Sequence, residues 1–212
     1  MENQQEAMHE NMHIGDVPQQ LNHGGHEVLD VHEVLSGSVD ALNTYLLFRQ
    51  FVKDPELVDI IDRQYRFMQE EYNITLDSFK TGKDPFKPTQ SYKMEPDNDF
   101  IYGIEPTEPV KPIQSVSEFN EQSVSSILLG AVKSLATVKT MAALESTNPV
   151  VRRVLADSIP NCIEMAYEIS IYQNKRHYYQ VPQFAPQDMQ AMLNAYEPGQ
   201  GQPQTQNNNV SH

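Results

Sequence analysis

Apolar residues at Val28, Val31, Leu35, Val39, Leu42, Leu46 and Phe51 recur at intervals of three to five. That spacing predicts one face of a long helix over about 26–52. A second stripe follows at Leu57, Ile60, Ile61, Phe67, Met68, Ile74 and Phe79, which predicts a helix over about 55–81. Between them, Asp54 supplies an N-cap and Pro55 the first helical position, where a missing N–H costs nothing. Gly82 is placed to end the second helix. A third stripe runs through Val124, Ile127, Leu128, Ala131, Leu135, Val138 and Ala142, opened by Ser117 with Glu118 and Glu121, for a helix over about 117–146. A fourth, Val151, Val154, Cys162, Met165, Ile169 and Tyr172, predicts a helix over about 149–181, capped by Asn148 with Pro149 at its first position. Pro160 falls inside it and is expected to kink it, or to split it after Ser158.

The two helix pairs repeat one another. Ser36-Gly37-Ser38-Val39, then Leu42 and Thr44, recur as Leu129-Gly130-Ala131-Val132, then Leu135 and Thr137. The hairpin Asp54-Pro55 recurs as Asn148-Pro149, one residue out of step. Four amphipathic helices of this kind bury their stripes in one bundle. Residues 83–116 differ in kind, with prolines at 85, 88, 96, 106, 109 and 112. Such a segment is no helix, and it is too long for a tight connection. Extended chain covers about 3 Å per residue, so the segment can run the length of the bundle. The expected fold is therefore all-α, a ferritin-like four-helix bundle with one long proline-rich crossover between helices two and three. Phe86, Tyr92, Phe100 and Tyr102 are expected to pin the crossover to the bundle.

The domain organisation that follows is an acidic, His-containing disordered arm over 1–25, the bundle over 26–182, and a short helix with a disordered Gln/Asn-rich tail over 183–212. The net charge is -14 over 212 residues. Residues 26–81 hold eleven acids and five bases, whereas 117–181 hold six of each. No basic stripe exists, so nucleic acid is not an expected partner. No apolar run of about 18 residues and no signal-peptide pattern occur, so no membrane partner is expected and synthesis in the cytoplasm is. The lone Cys162 allows no intrachain disulfide and reads as a small buried hydrophobe.

A bundle with a crossover raises the question of a di-metal centre. Such centres need a Glu on each of two helices and a Glu-x-x-His on each of the other two, so that both ligands of a pair face inward. Helix one offers Glu27, His32 and Glu33. Helix two offers Glu70 with Asn73, or Glu71 with Ile74, and helix four offers Glu164 with Tyr167, or Glu168 with Ile171. Neither helix completes the motif, and helix three has no acid between Glu121 and Glu145. The stronger reading is that these glutamates are solvated or bond Arg63, Arg66, Arg152 or Tyr167. His9, His13, His23, His26 and His32 crowd the N-terminal region, but their spacings match no closed metal site. No Ser/His/Asp order, phosphate loop or CxxC is present. No catalytic, cofactor-binding or metal-binding residue is assigned, and no enzyme activity or cofactor is expected. A ligand cavity near Glu71, Thr75, Ser158 and Cys162 is the remaining small-molecule reading. Ten tyrosines and no tryptophan favour packing over oxidative cross-linking as the role of Tyr167, Tyr172, Tyr178, Tyr179 and Tyr196.

The stretch from His26-Glu27 to Val52, the hairpin Asp54-Pro55-Glu56-Leu57 and the segment Gln69-Glu70-Glu71 resemble the spore coat protein F-like family of endospore-forming bacteria. So do Asn148-Pro149-Val150-Val151-Arg152 and the Tyr-rich end from Tyr172 to Gln180. The resemblance covers roughly 26–185. It implies a ferritin-like bundle with a structural role in the spore coat or an associated layer. The incomplete ligand set, the charge difference between the two helix pairs and the Pro-rich and Gln/Asn-rich segments add the expectation that it acts by protein–protein assembly. The implied partners are other spore coat proteins and copies of itself. A di-metal ferritin-like oxidase or metal-storage protein is the alternative.

Overall fold

The computed structural model of the chain describes residues 23–201. Expectations for the arm before His23 and for the tail after residue 201 lie outside the described residues. The fold is all-helical: α1 Gly25–Arg49, α2 Pro55–Thr81, α3 Glu121–Glu145, α4 Pro149–Lys175 and α5 Pro186–Leu193, with one 3-10 turn at Val116–Glu118. Among the described residues there is no strand, only isolated bridges from Tyr102 and Gly103 to Val181.

Each helix end has a local cause. Asp54 accepts from the Glu56 N–H at 3.0 Å, and Asn148 accepts from the N–H groups of Val150 and Val151 at 2.9 and 3.2 Å. Asn120 and Ser123 form a reciprocal capping box, so α3 opens at Glu121 and Ser117 belongs to the preceding turn. Gly82 takes φ 64, the left-handed stop that only glycine adopts freely, and its N–H bonds the Ser78 carbonyl. α1 stops at Arg49 rather than near residue 52, because the Phe51 and Val52 N–H groups bond the carbonyls of Phe48 and Arg49, three residues back, in a tightened turn. α4 stops at Lys175 rather than near 181. There the Gln173 carbonyl gathers the N–H groups of Arg176, Tyr178 and Tyr179, and His177 turns over with φ 58. Pro160 does not split α4, which is helical from Pro149 to Lys175.

α1 packs on α2 and α3, and α4 packs on α2 and α3. The end of α3 meets the start of α1 through Thr147 and Glu27, and the end of α2 meets the start of α4 through Gly82 and Asn148. Every packed neighbour is therefore antiparallel, and α2 and α3 run the same way on a diagonal. The non-helical segment between them follows α4 from end to end. Asp84 pairs with Arg153 near the start of α4, Thr89 with Asp157 at 2.8 Å, and the Ile101 N–H with Asn174 at 2.6 Å. Of the four aromatics expected to pin it, Tyr92 is buried and Phe100 stacks on Tyr167 at 5.3 Å. Phe86 and Tyr102 do not pin it, being 96% and 60% exposed.

The core faces differ from the apolar stripes. α1 buries Glu27, Val31, Val34, Ser38, Ala41 and Tyr45, a seam with alternating four- and three-residue steps. Val39 and Leu46 of the expected stripe are exposed instead. α3 buries Lys139 beside Leu128, Val132 and Leu135. An 18-residue window of α3 has mean hydropathy 1.5, enough by length and composition to cross a membrane, but its buried face is occupied by α1 and α4. Leu57, Leu128, Leu155 and Ile169 are fully buried, each stabilising the fold by about 2 kcal/mol.

Candidate functional site

The feature that sets this interior apart is polar. Glu168 on α4 has no exposed surface. It accepts hydrogen bonds from Arg63 Nη2 at 2.8 Å, Gln64 Nε2 at 2.9 Å and the Tyr92 hydroxyl at 2.5 Å. Gln64 in turn accepts from the Tyr45 hydroxyl at 2.6 Å. Three elements thus meet on one carboxylate, α2 through Arg63 and Gln64, α4 itself and the crossing segment through Tyr92, and α1 joins at one remove through Tyr45 and Gln64. Burial and the adjacent carboxylate push the Tyr92 phenol well above its ordinary value. Burial works against the Arg63 charge, but Glu168 and Asp59 more than offset it.

A second cluster lies further along the same helices. Glu71 Oε2 accepts from Lys139 Nζ at 2.5 Å, and Glu71 Oε1 accepts from Asn161 Nδ2 at 2.7 Å. Lys139 is 2% exposed, Asn161 4% and Glu71 8%. Burial works against the Lys139 charge, but the Glu71 carboxylate beside it carries the balance upward. Tyr92 joins the clusters, since its backbone N–H donates to Asn161 Oδ1 at 2.8 Å while its hydroxyl reaches Glu168. The Cys162 thiol is buried, which pushes its pKa up and keeps it protonated despite Lys139 nearby.

A third arrangement closes both ends of the bundle and follows the internal repeat. At the start of α1, buried Glu27 accepts from the Thr147 N–H at 2.7 Å, Thr147 Oγ1 at 2.7 Å and the Asn148 N–H at 2.8 Å. His23 Nδ1 lies 2.5 Å from its other oxygen, so residues 23 and 24 are fixed to the bundle rather than part of an arm. At the start of α3, Glu121 accepts from the N–H groups of Lys53 and Asp54 at 3.0 and 3.4 Å. Each half of the repeat therefore caps the hairpin of the other half with its own first-turn glutamate.

These placements decide among the expected ligands. Glu71 and Glu168 are interior, whereas Glu70 reaches out to Lys87 at 2.7 Å and His32 and Glu33 are exposed. Glu71 and Glu168 are matched by Lys139 and Arg63, so their charge is already balanced by the chain. The third buried candidate, Glu27, is bonded to the Thr147–Asn148 hairpin. No group of three or more His, Cys, Asp or Glu is arranged to hold a metal among the described residues. The proposed ligand cavity is not lined with free donors. Thr75 Oγ1 donates to the Glu71 carbonyl at 2.9 Å, Ser158 Oγ donates to the Leu155 carbonyl at 2.6 Å, and Glu71 is paired. Sequence reasoning missed Lys139, Gln64 and Tyr45. One signal was available: Lys139 falls in register with Leu128, Val132 and Leu135 on a helix poor in other charges.

The family model for the Coat F domain matches residues 120–182. Spore coat protein F-like protein YhcQ of Bacillus subtilis (strain 168) is 48% identical over 184 residues, 86% of this chain and 85% of that protein. No solved structure matches.

Proposed function

We propose, for a chain that belongs to the spore coat protein F-like family, that it is a structural component of the bacterial spore, in the coat or an associated layer. It acts by assembly with other coat proteins and with copies of itself, and it performs no enzymatic turnover. The observation that carries this reading is the 48% identity along most of both chains to a protein named as spore coat protein F-like. The interior agrees with it. Its charged groups are spent on one another and on hairpin N–H groups, an arrangement suited to rigidity. The ferritin-like description, with 83–116 as the crossover, is supported by the parallel diagonal of α2 and α3 and by the segment running along α4. Assembly is supported by apolar side chains left outside: Leu29, Leu46 and Leu47 on α1, Met141 and Leu144 on α3, and the whole of α5, which buries nothing.

The test is localisation of a tagged copy in a sporulating cell, followed by stepwise extraction of the finished spore. Retention in the protein layers supports the proposal. A copy that stays freely soluble in growing cells, with no dependence on sporulation, overturns it. Stoichiometric iron or manganese in the purified protein, lost on Glu71→Ala or Glu168→Ala, would favour the metal-binding alternative instead.

A further inference from the structure

Lys139 and Asn161 bond the two oxygens of a single buried carboxylate, that of Glu71. A primary amine, a primary amide and a carboxyl group held together away from water are the complete set of reactants for an amide exchange. From this geometry we propose that Lys139 and Asn161 join in an intramolecular isopeptide bond, with Glu71 carrying the protons.

Each group is set for its part. Moving one proton from Nζ to Oε2 along the 2.5 Å contact turns a buried ion pair into a neutral amine and a neutral acid. Burial favours the change and the paired charges oppose it, so the neutral pair is the minor, reactive form. The amine lone pair then attacks Asn161 Cγ. The Asn161 Oδ1 that gains charge already accepts the Tyr92 N–H at 2.8 Å, a fixed dipole aimed where negative charge develops. The Asn161 Nδ2 that must leave is held by Glu71 Oε1 at 2.7 Å and by the Gln90 carbonyl at 2.8 Å. A second proton passes from Nζ to Nδ2, the Cγ–Nδ2 bond breaks, and ammonia departs. The balance is one ammonium side chain, one carboxylate and one amide giving one secondary amide, one carboxylic acid and one ammonia. No oxidant is consumed. Burial of all three groups excludes the water that would otherwise compete for Cγ, and fixed proximity replaces a bimolecular encounter. The protonated thiol of Cys162 is a poor rival nucleophile. The product ties α3 to α4 and closes a ring over residues 139–161.

The measurement is mass spectrometry of the purified, folded full-length chain. The intact mass should fall short of the sequence mass by one ammonia. Trypsin should fail after Lys139 and yield a branched product joining 134–152 to 154–175. Cys162→Ser should keep the branched product, and Glu71→Gln, checked for helical content, should lose it. Any fraction of branched product in the wild type that depends on Glu71 supports the proposal. Its complete absence from the wild type overturns it, and so does ammonia loss without a branched peptide, which marks a cyclised asparagine elsewhere. Because the wild-type chain is itself the test, a Glu71 variant that fails to fold does not obscure the answer. Retention or loss of the chain in spore extracts bears on the functional reading alone.

Discussion

Replacing Glu27 tests whether the reciprocal caps hold the two halves together. Its carboxylate takes two backbone N–H groups and a hydroxyl from Thr147 and Asn148, all within 2.8 Å, and it has no exposed surface. Hydrogen bonds to a charged acceptor contribute about 1.5–3 kcal/mol each, less when they share one oxygen, as these three do. Glu27→Ala removes all of them, strands two hairpin donors and leaves a void. We expect a loss of about 3–4 kcal/mol, within the range for breaking a buried charged network. For a chain of this size that lowers Tm by roughly 6–16 °C. Glu121→Ala, which loses bonds at 3.0 and 3.4 Å on a partly exposed side chain, should cost no more than about 1 kcal/mol. The acid limb gives a second readout. Burial raises the Glu27 pKa, but the bonds from Thr147, Asn148 and His23 outweigh it and leave it below the ordinary value. A depressed folded-state pKa adds stability above the unfolded value, about 4.3, and that stability is lost as pH falls through the folded value. Wild type should therefore lose stability faster than Glu27→Gln below about pH 4.3. Urea melts followed by circular dichroism at neutral and acid pH decide it. Equal melting of Glu27→Ala and Glu121→Ala would refute the argument.

Glu168→Gln should destabilise by about 2–4 kcal/mol, since Arg63 is left without its buried partner. Hydrogen exchange should show residues 89–95 opening first, because the single amide oxygen of Gln cannot accept from Arg63, Gln64 and Tyr92 together as the carboxylate does. Asn148→Ala removes the α4 cap and a bond to the Gly82 carbonyl, for a loss of about 1–2 kcal/mol in the same melts. Gly130→Ala should raise stability by about 0.5–1 kcal/mol, because a Cβ there meets nothing within 4 Å and the backbone is helical. A drop in Tm for that variant would show that the repeated glycine serves packing.

The parts legible in the sequence are those with a local cause. Asp54-Pro55 and Asn148-Pro149 cap and start helices through bonds to residues two or three along the chain, so they read directly. The seam of α1 did not read correctly because Glu27 and Ser38 occupy core positions, and a hydrophobicity pattern assigns such residues to solvent. The true face, through Val31, Val34, Ala41 and Tyr45, was concealed by Val39 and Leu46 on the exposed side. The same blindness hid the interior cluster. Glu71 and Glu168 stood only as alternatives to Glu70 and Glu164. Arg63 was among the expected bonding partners and does hold Glu168, but Lys139, 68 residues from Glu71, was not, because no local rule links them.

That failure has a physical consequence for reading the di-metal question. A motif search asks whether each helix supplies a ligand, and α3 supplies none. The structure shows that α3 supplies a cation at the bundle centre instead, and that α2 supplies a second one. A carboxylate buried in such a bundle must be neutralised by a metal, a proton or a basic side chain. Lys139 and Arg63 provide the third solution, each donating from a fixed position to one of the two carboxylates. The absence of a histidine three residues after Glu71 or Glu168 then has a reason within the fold: Ile74 and Ile171, which stand there, are buried apolar side chains. The cost of this solution is that removing either cation leaves a bare interior charge, which is why the bundle should tolerate exchange of its surface far better than exchange of these four residues.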